Sequence, residues 1–102
     1  MSQREYSVRL LRVAGNDLAE IVEYIAADRP SAAEKLATRI ENSLSRLQRN
    51  PHLGRVPTEE ELLRLGYRYL RVENYLIFYT IEEDTIYVHR ILHGARDYLK
   101  LF

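Results

Sequence analysis

Between Tyr67 and Leu92 the chain holds three apolar, strand-like runs separated only by Glu73-Asn74 and by Glu82-Glu83-Asp84. The runs cover about 67–73, 75–82 and 85–92 and are rich in Tyr, Ile, Val and Leu, residues that suit a pleated, half-buried surface. Interruptions of two or three residues are too short for a crossover. Consecutive runs must therefore pair as antiparallel hairpins, and the second half of the molecule is a meander.

The first half carries a different period. Tyr6-Ser7-Val8-Arg9-Leu10 alternates, so Tyr6, Val8 and Leu10 share one face of a short strand. Over about 13–28, Leu18, Ile21, Val22 and Ile25 form one apolar helix stripe, and Asp28-Arg29-Pro30 ends it. Ser31-x-x-Glu34 has the pattern of a capping box for a second helix. Its stripe is Ala33, Leu36, Ala37, Ile40, Leu44 and Leu47, and Asn50-Pro51 stops it. With so short a connection the two helices form a hairpin. Residues 50–57, with Asn50, Pro51, Gly54 and Pro57, read as a loop. Thr58-Glu59-Glu60-Glu61 then reads as the cap and acidic first turn of a short helix over Leu62–Leu65, closed by Gly66. Gly94–Phe102 reads as a turn with a short terminal helix or tail. The order is β-α-α-(short α)-β-β-β, an α+β fold with an antiparallel sheet and the helical hairpin packed on one face.

A chain of 102 residues makes one domain. Fifteen basic residues balance fifteen acidic ones, so the molecule as a whole has no net pull on a polyanion. All but two of the basic residues are arginine, the better fork for phosphate or carboxylate. Cysteine is absent, which excludes disulfide and thiolate chemistry. The start of the chain has no signal-like apolar core and no run approaches a membrane span, so a cytoplasmic location is expected. No spacing of His, Cys or Asp indicates a metal, and no Gly-rich loop indicates a nucleotide cofactor.

The chain's candidate chemistry is concentrated late, in Arg68, Arg71, His89, Arg90, His93, Arg96 and Tyr98. Metal-free RNA cleavage needs a base, an acid and a cation for the phosphorane, and this set includes those types. A histidine near its ordinary value of about 6.5 can serve as either acid or base. Strand alternation sorts Ile86, Val88, Arg90 and Leu92 onto one face, expected in the core. It puts Tyr87, His89, Ile91 and His93 on the other, expected to be the functional face. Against these readings stand ordinary roles: a hydrogen-bonded His89 at the core edge, a local Arg96–Asp97 pair, and tail packing by Tyr98.

Tyr6 to Pro51, with Asp17-Leu18 and Tyr24-Ile25, resembles the opening strand and helical hairpin of the RelE/ParE toxin superfamily. Pro51-His52-Leu53-Gly54 resembles its following loop. Tyr75-Leu76-Ile77-Phe78-Tyr79 and Arg90-Ile91-Leu92-His93-Gly94-Ala95-Arg96-Asp97 resemble its central and final strands. The resemblance implies the toxin of a type II toxin–antitoxin (plasmid stabilisation) module, with a cognate antitoxin as partner. RelE-like members cut messenger RNA on the ribosome, and ParE-like members poison DNA gyrase. RelE-like nucleases tend to carry a cation directly after the tyrosine that opens the central strand, and a His-Arg pair at the end of the last. Here those places are Leu76 and His93-Gly94. The resemblance thus implies a ParE-like toxin that binds gyrase through Arg68, Arg90, His93 and Arg96. The alternative is a ribosome-dependent endoribonuclease using Arg71, His89, His93, Arg96 and Tyr98. A further alternative is a non-toxic member that only binds its antitoxin.

Overall fold

The computed structural model describes residues 5–95 and 98–102, Tyr98 by its backbone alone. In chain order it holds β1 (Ser7–Leu10), α1 (Arg12–Ala26), α2 (Pro30–Arg49), α3 (Glu60–Arg64), β2 (Arg68–Val72), β3 (Tyr75–Glu82), β4 (Thr85–His93) and a 3₁₀ turn (Tyr98–Leu101). The expected order of elements is observed.

The four strands form one sheet in the order β1-β4-β3-β2. β2, β3 and β4 are the expected antiparallel meander. Glu73 and Glu83 take left-handed backbone (φ 54° and 56°) to make its two tight turns. β1 instead pairs in parallel with β4, from Ser7 opposite Thr85 to Leu10 opposite Val88. A parallel pair needs a long crossover, and the helical hairpin supplies it.

α1 and α2 cover one face of the sheet. Leu36, Ile40 and Leu47 of α2 are buried there with Ala14 of α1 and Ile77, Tyr79, Ile86, Val88 and Ile91 of the sheet. Leu18, Ile21, Ile25 and Leu44 pack around this cluster. The other sheet face is not left open by packing the hairpin on the first. Leu62 of α3 is buried against Leu76, Phe78 and Leu92, and Tyr67, Tyr69 and Leu101 close around them.

Two helix starts differ from the sequence reading. Pro30 is the first residue of α2, Arg29 precedes it, and no side chain caps the helix. Proline is preset for that first helical position, where its missing N–H would have had no helical partner, so Ser31 falls inside the helix and the capping box does not form. α3 likewise starts after Glu59 without a side-chain cap from Thr58. Its end is as expected: Gly66 is left-handed (φ 83°), and the N–H groups of Gly66 and Tyr67 bond back to Leu63 and Leu62.

The loop after α2 is pinned from inside. The buried Tyr79 hydroxyl accepts the Gly54 N–H (2.9 Å) and donates to the Pro51 carbonyl (2.8 Å). Burial raises the Tyr79 pKa, opposed by the Gly54 bond and the nearby Arg68. Arg68 donates to the Gly54 carbonyl (2.9 Å), and Arg55 exchanges two backbone bonds with Tyr69 on the outer edge of β2. A Cβ on Gly54 would lie 2.5 Å from the Tyr79 oxygen and 2.8 Å from the Tyr69 carbonyl oxygen, so only glycine fits.

Candidate functional site

β4 carries the feature that arranges the late histidines and arginines. Val88 lies opposite Tyr79 and Arg90 opposite Phe78, which leaves His89 as the extra residue of a bulge. One extra residue reverses the alternation beyond it. Ile86 and Val88 face the helices as expected. After the bulge Ile91 joins that same helix-side cluster, while Leu92 joins the cluster on the opposite face. The period-2 sorting of β4 therefore fails past His89: Arg90 and Leu92 leave the helix-covered face, and Ile91 and His93 move onto it.

His89 is held at both ring nitrogens. Nδ1 lies 3.2 Å from the Tyr67 hydroxyl and Nε2 2.8 Å from the Thr80 hydroxyl. The Tyr67 ring meets the imidazole edge-on, with centroids 4.8 Å apart. Burial lowers the His89 pKa, against a smaller upward pull from Glu82. Burial also raises that of Tyr67. At neutral pH the ring is an uncharged member of a hydrogen-bonded chain.

Arg90 makes a forked pair with Asp17 of α1, Nε to Oδ2 and Nη2 to Oδ1, both 2.8 Å. Its remaining nitrogen donates to the Leu101 carbonyl (2.9 Å). Asp17 Oδ2 also accepts the Ile91 N–H (3.0 Å), beyond the end of the short β1, and so satisfies the strand edge that β1 does not reach. The bond to Asp17 raises the arginine's pKa, with burial opposing. This pair ties α1, β4 and the terminal turn together. The period-2 pattern that assigns Arg90 to the core face contains no trace of this partner, which lies 73 positions away. The legible signal was a carboxylate, Asp17, beside the apolar stripe of α1.

His93 closes the far end of β4. Its Nδ1 accepts the Ala95 N–H (3.1 Å), and its ring sits edge-on to Tyr75 with centroids 5.4 Å apart. His93, Tyr75 and Ile91 line a groove with Asp17, Glu20, Ile21 and Tyr24 of α1, with a volume of about 300 Å³. Tyr24 stands almost free beside it, 83% exposed.

Arg71 lies opposite Leu76, which lies opposite Leu92, so it shares the face away from α1 and α2. It is exposed, and its Nε donates to the Glu73 carbonyl (3.1 Å). Arg68 is on the helix side, bonded to Gly54. The candidate groups are therefore divided. Arg71, His89 and Arg90 belong to one face of the sheet, and Arg68 and His93 to the other. Arg96 and the Tyr98 side chain lie outside the described residues. Among the described residues no cluster of three or more His, Cys, Asp or Glu is placed to hold a metal ion, and no helix is long and apolar enough to cross a membrane.

Leu76, next after the tyrosine that opens β3, and Gly94, just past the end of β4, lie close together. Leu76 is buried at 6% exposure, and a Cβ on Gly94 would lie 3.7 Å from its Cγ. The Gly94 N–H bonds to the Asn74 carbonyl (2.8 Å), which holds the two together.

The chain is similar in fold to a toxin–antitoxin structure described as the chromosomal ParDE system of P. aeruginosa, with TM-score 0.72 and 23% identity over 87% of this chain and 96% of that one. It is also similar to the toxin–antitoxin complex RelBE2 of Mycobacterium tuberculosis, with TM-score 0.65 and 26% identity over 93% of this chain and 98% of that one. A comparison with curated proteins gave no match. The family model described as the ParE toxin of the type II toxin–antitoxin system parDE matches residues 8–98. With nearly the whole domain matched, from β1 to the terminal turn, the chain belongs to the ParE toxin family.

Proposed function

We propose that this toxin acts by binding DNA gyrase, and that a cognate antitoxin holds it inactive. The observation that carries the reading is the closeness of Leu76 and Gly94, where a Cβ built on Gly94 would fall 3.7 Å from Leu76 Cγ. These are the two places where the nuclease line tends to carry cations. Here both are uncharged and close together. An anionic phosphorane there would lack the charges that stabilise it. The engagement of both His89 nitrogens and the placement of His93 on the opposite sheet face support the same reading. The groove between α1 and the end of β4 suits an amphipathic antitoxin segment, with Ile21, Tyr24 and Tyr75 offering apolar contact and Glu20 and His93 a polar rim.

A paired assay of the purified toxin tests the mechanism. Inhibition of gyrase supercoiling without messenger cleavage on ribosomes is expected. Codon-positioned cleavage abolished by His93→Ala would establish the endoribonuclease instead, and inactivity of the folded toxin in both assays would leave a non-toxic antitoxin binder.

A further inference from the structure

The neutral total conceals a segregated surface. Residues 29–55 carry Arg29, Lys35, Arg39, Arg46, Arg49 and Arg55 against only Glu34 and Glu41. On α2 the helical period separates the two signs. Lys35, Arg39 and Arg46 fall within one narrow sector of its exposed side, while Glu34 and Glu41 fall on the other flank. The basic flank is turned toward β2, because Arg39 reaches Glu73 in the β2–β3 turn (3.3 Å). Glu73 also lines a depression with Arg29, Lys35 and Arg39, so a carboxylate sits among these cations. Among the described residues Arg29, Lys35 and Arg46 form no ion pair. The acidic run Glu82-Glu83-Asp84 lies in the other turn of the meander, at the opposite end of the sheet from Glu73.

The lining of this surface selects its partner. Arg29, Lys35 and Arg39 border a depression of about 480 Å³ whose other walls are Pro30, Ser31, Ala32 and Glu73. It contains no aromatic ring and no large aliphatic side chain. Protein interfaces anchor on buried apolar or aromatic groups, and single strands are held by stacking bases on rings. Neither has a foothold within this depression. Exposed guanidinium and ammonium groups without an apolar centre fit contacts to a phosphate backbone, which position a duplex without reading its bases.

We propose that Arg29, Lys35, Arg39 and Arg46 form a docking surface for the phosphate backbone of duplex DNA. The surface is independent of the α1–β4 groove and of which macromolecule the toxin inhibits. Binding is sequence-independent and weak, with a Kd of about 10⁻⁴–10⁻⁶ M at physiological salt. The acidic turn at the far end orients the molecule as it approaches.

The test is fluorescence anisotropy of a short mixed-sequence duplex DNA titrated with the full-length toxin, at salt from about 50 to 200 mM. Engagement of three or four phosphates gives a log–log salt slope of about −3 to −4. In the variant Lys35→Gln/Arg39→Gln/Arg46→Gln the slope falls by about one per residue and affinity falls with it. Glu73→Gln, which removes the competing carboxylate, tightens binding. The control Arg9→Gln/Arg12→Gln/Arg64→Gln removes the same charge from exposed sites elsewhere and keeps the slope. Thermal unfolding of each variant confirms that it is folded. Equal losses in the control overturn the proposal in favour of bulk charge. Equal competition by polyglutamate overturns it in favour of an acidic protein, and tighter binding of single strands or of duplex RNA overturns the assignment to DNA.

Discussion

The environment of His89 has a consequence for pH. Burial depresses the histidine's pKa in the native state, so the native protein resists a proton that the unfolded chain accepts. The contribution to stability is complete above the unfolded value of about 6.5 and is lost as pH falls from there through the depressed native value. Denaturant midpoints measured across this range should decline on the acid side for the wild type. In His89→Gln, which keeps hydrogen-bonding capacity but does not titrate, the decline should be shallower; an unchanged profile would place the titration elsewhere.

At the scale of elements, α2 and the loop after it are the parts most exposed to single substitutions. Ile40 is fully buried midway along the α2 stripe, so Ile40→Ala should cost about 2–5 kcal/mol in urea unfolding. No change in midpoint would mean that another face of α2 carries the packing. The loop depends on Tyr79 and Gly54. Tyr79→Phe leaves the Gly54 N–H and the Pro51 carbonyl without their partner and should cost about 1–3 kcal/mol. Gly54→Ala forces a methyl against the Tyr79 hydroxyl and the Tyr69 carbonyl, for a similar loss of about 1–3 kcal/mol. Amide exchange at Arg55 and Tyr69 should quicken in both variants, because their mutual backbone bonds hold the loop to the edge of β2.

For the whole molecule, antitoxin binding and folding are linked. A segment that binds the native toxin alone stabilises it by about 4 kcal/mol when its free concentration is a thousandfold above Kd. For a domain of this size that is a rise in Tm of tens of degrees, at about 4–8 °C per kcal/mol. Differential scanning calorimetry of the toxin with and without its cognate antitoxin measures it. Tyr24→Ala should reduce the shift while leaving the free toxin's Tm near its starting point, since that side chain is almost wholly exposed. Retention of the full shift would put the antitoxin on another surface.

The amino-acid order by itself determined the elements and their sequence. Two-residue and three-residue interruptions allow only a meander, and the stripes of Leu18-Ile21-Ile25 and Leu36-Ile40-Leu47 allow only amphipathic helices. Those are local constraints of reach and period, so they are legible residue by residue. The family resemblance in the strands was legible for the same reason. Three things were settled only by tertiary structure. β1 runs parallel to β4 because the helical hairpin, and not a tight turn, sets its direction. Asp17 pairs with Arg90 across 73 positions of sequence because α1 crosses the strand edge that β1 leaves open. The faces of β4 exchange at His89 because a bulge is a property of two paired strands, and no alternation read along one strand can contain it.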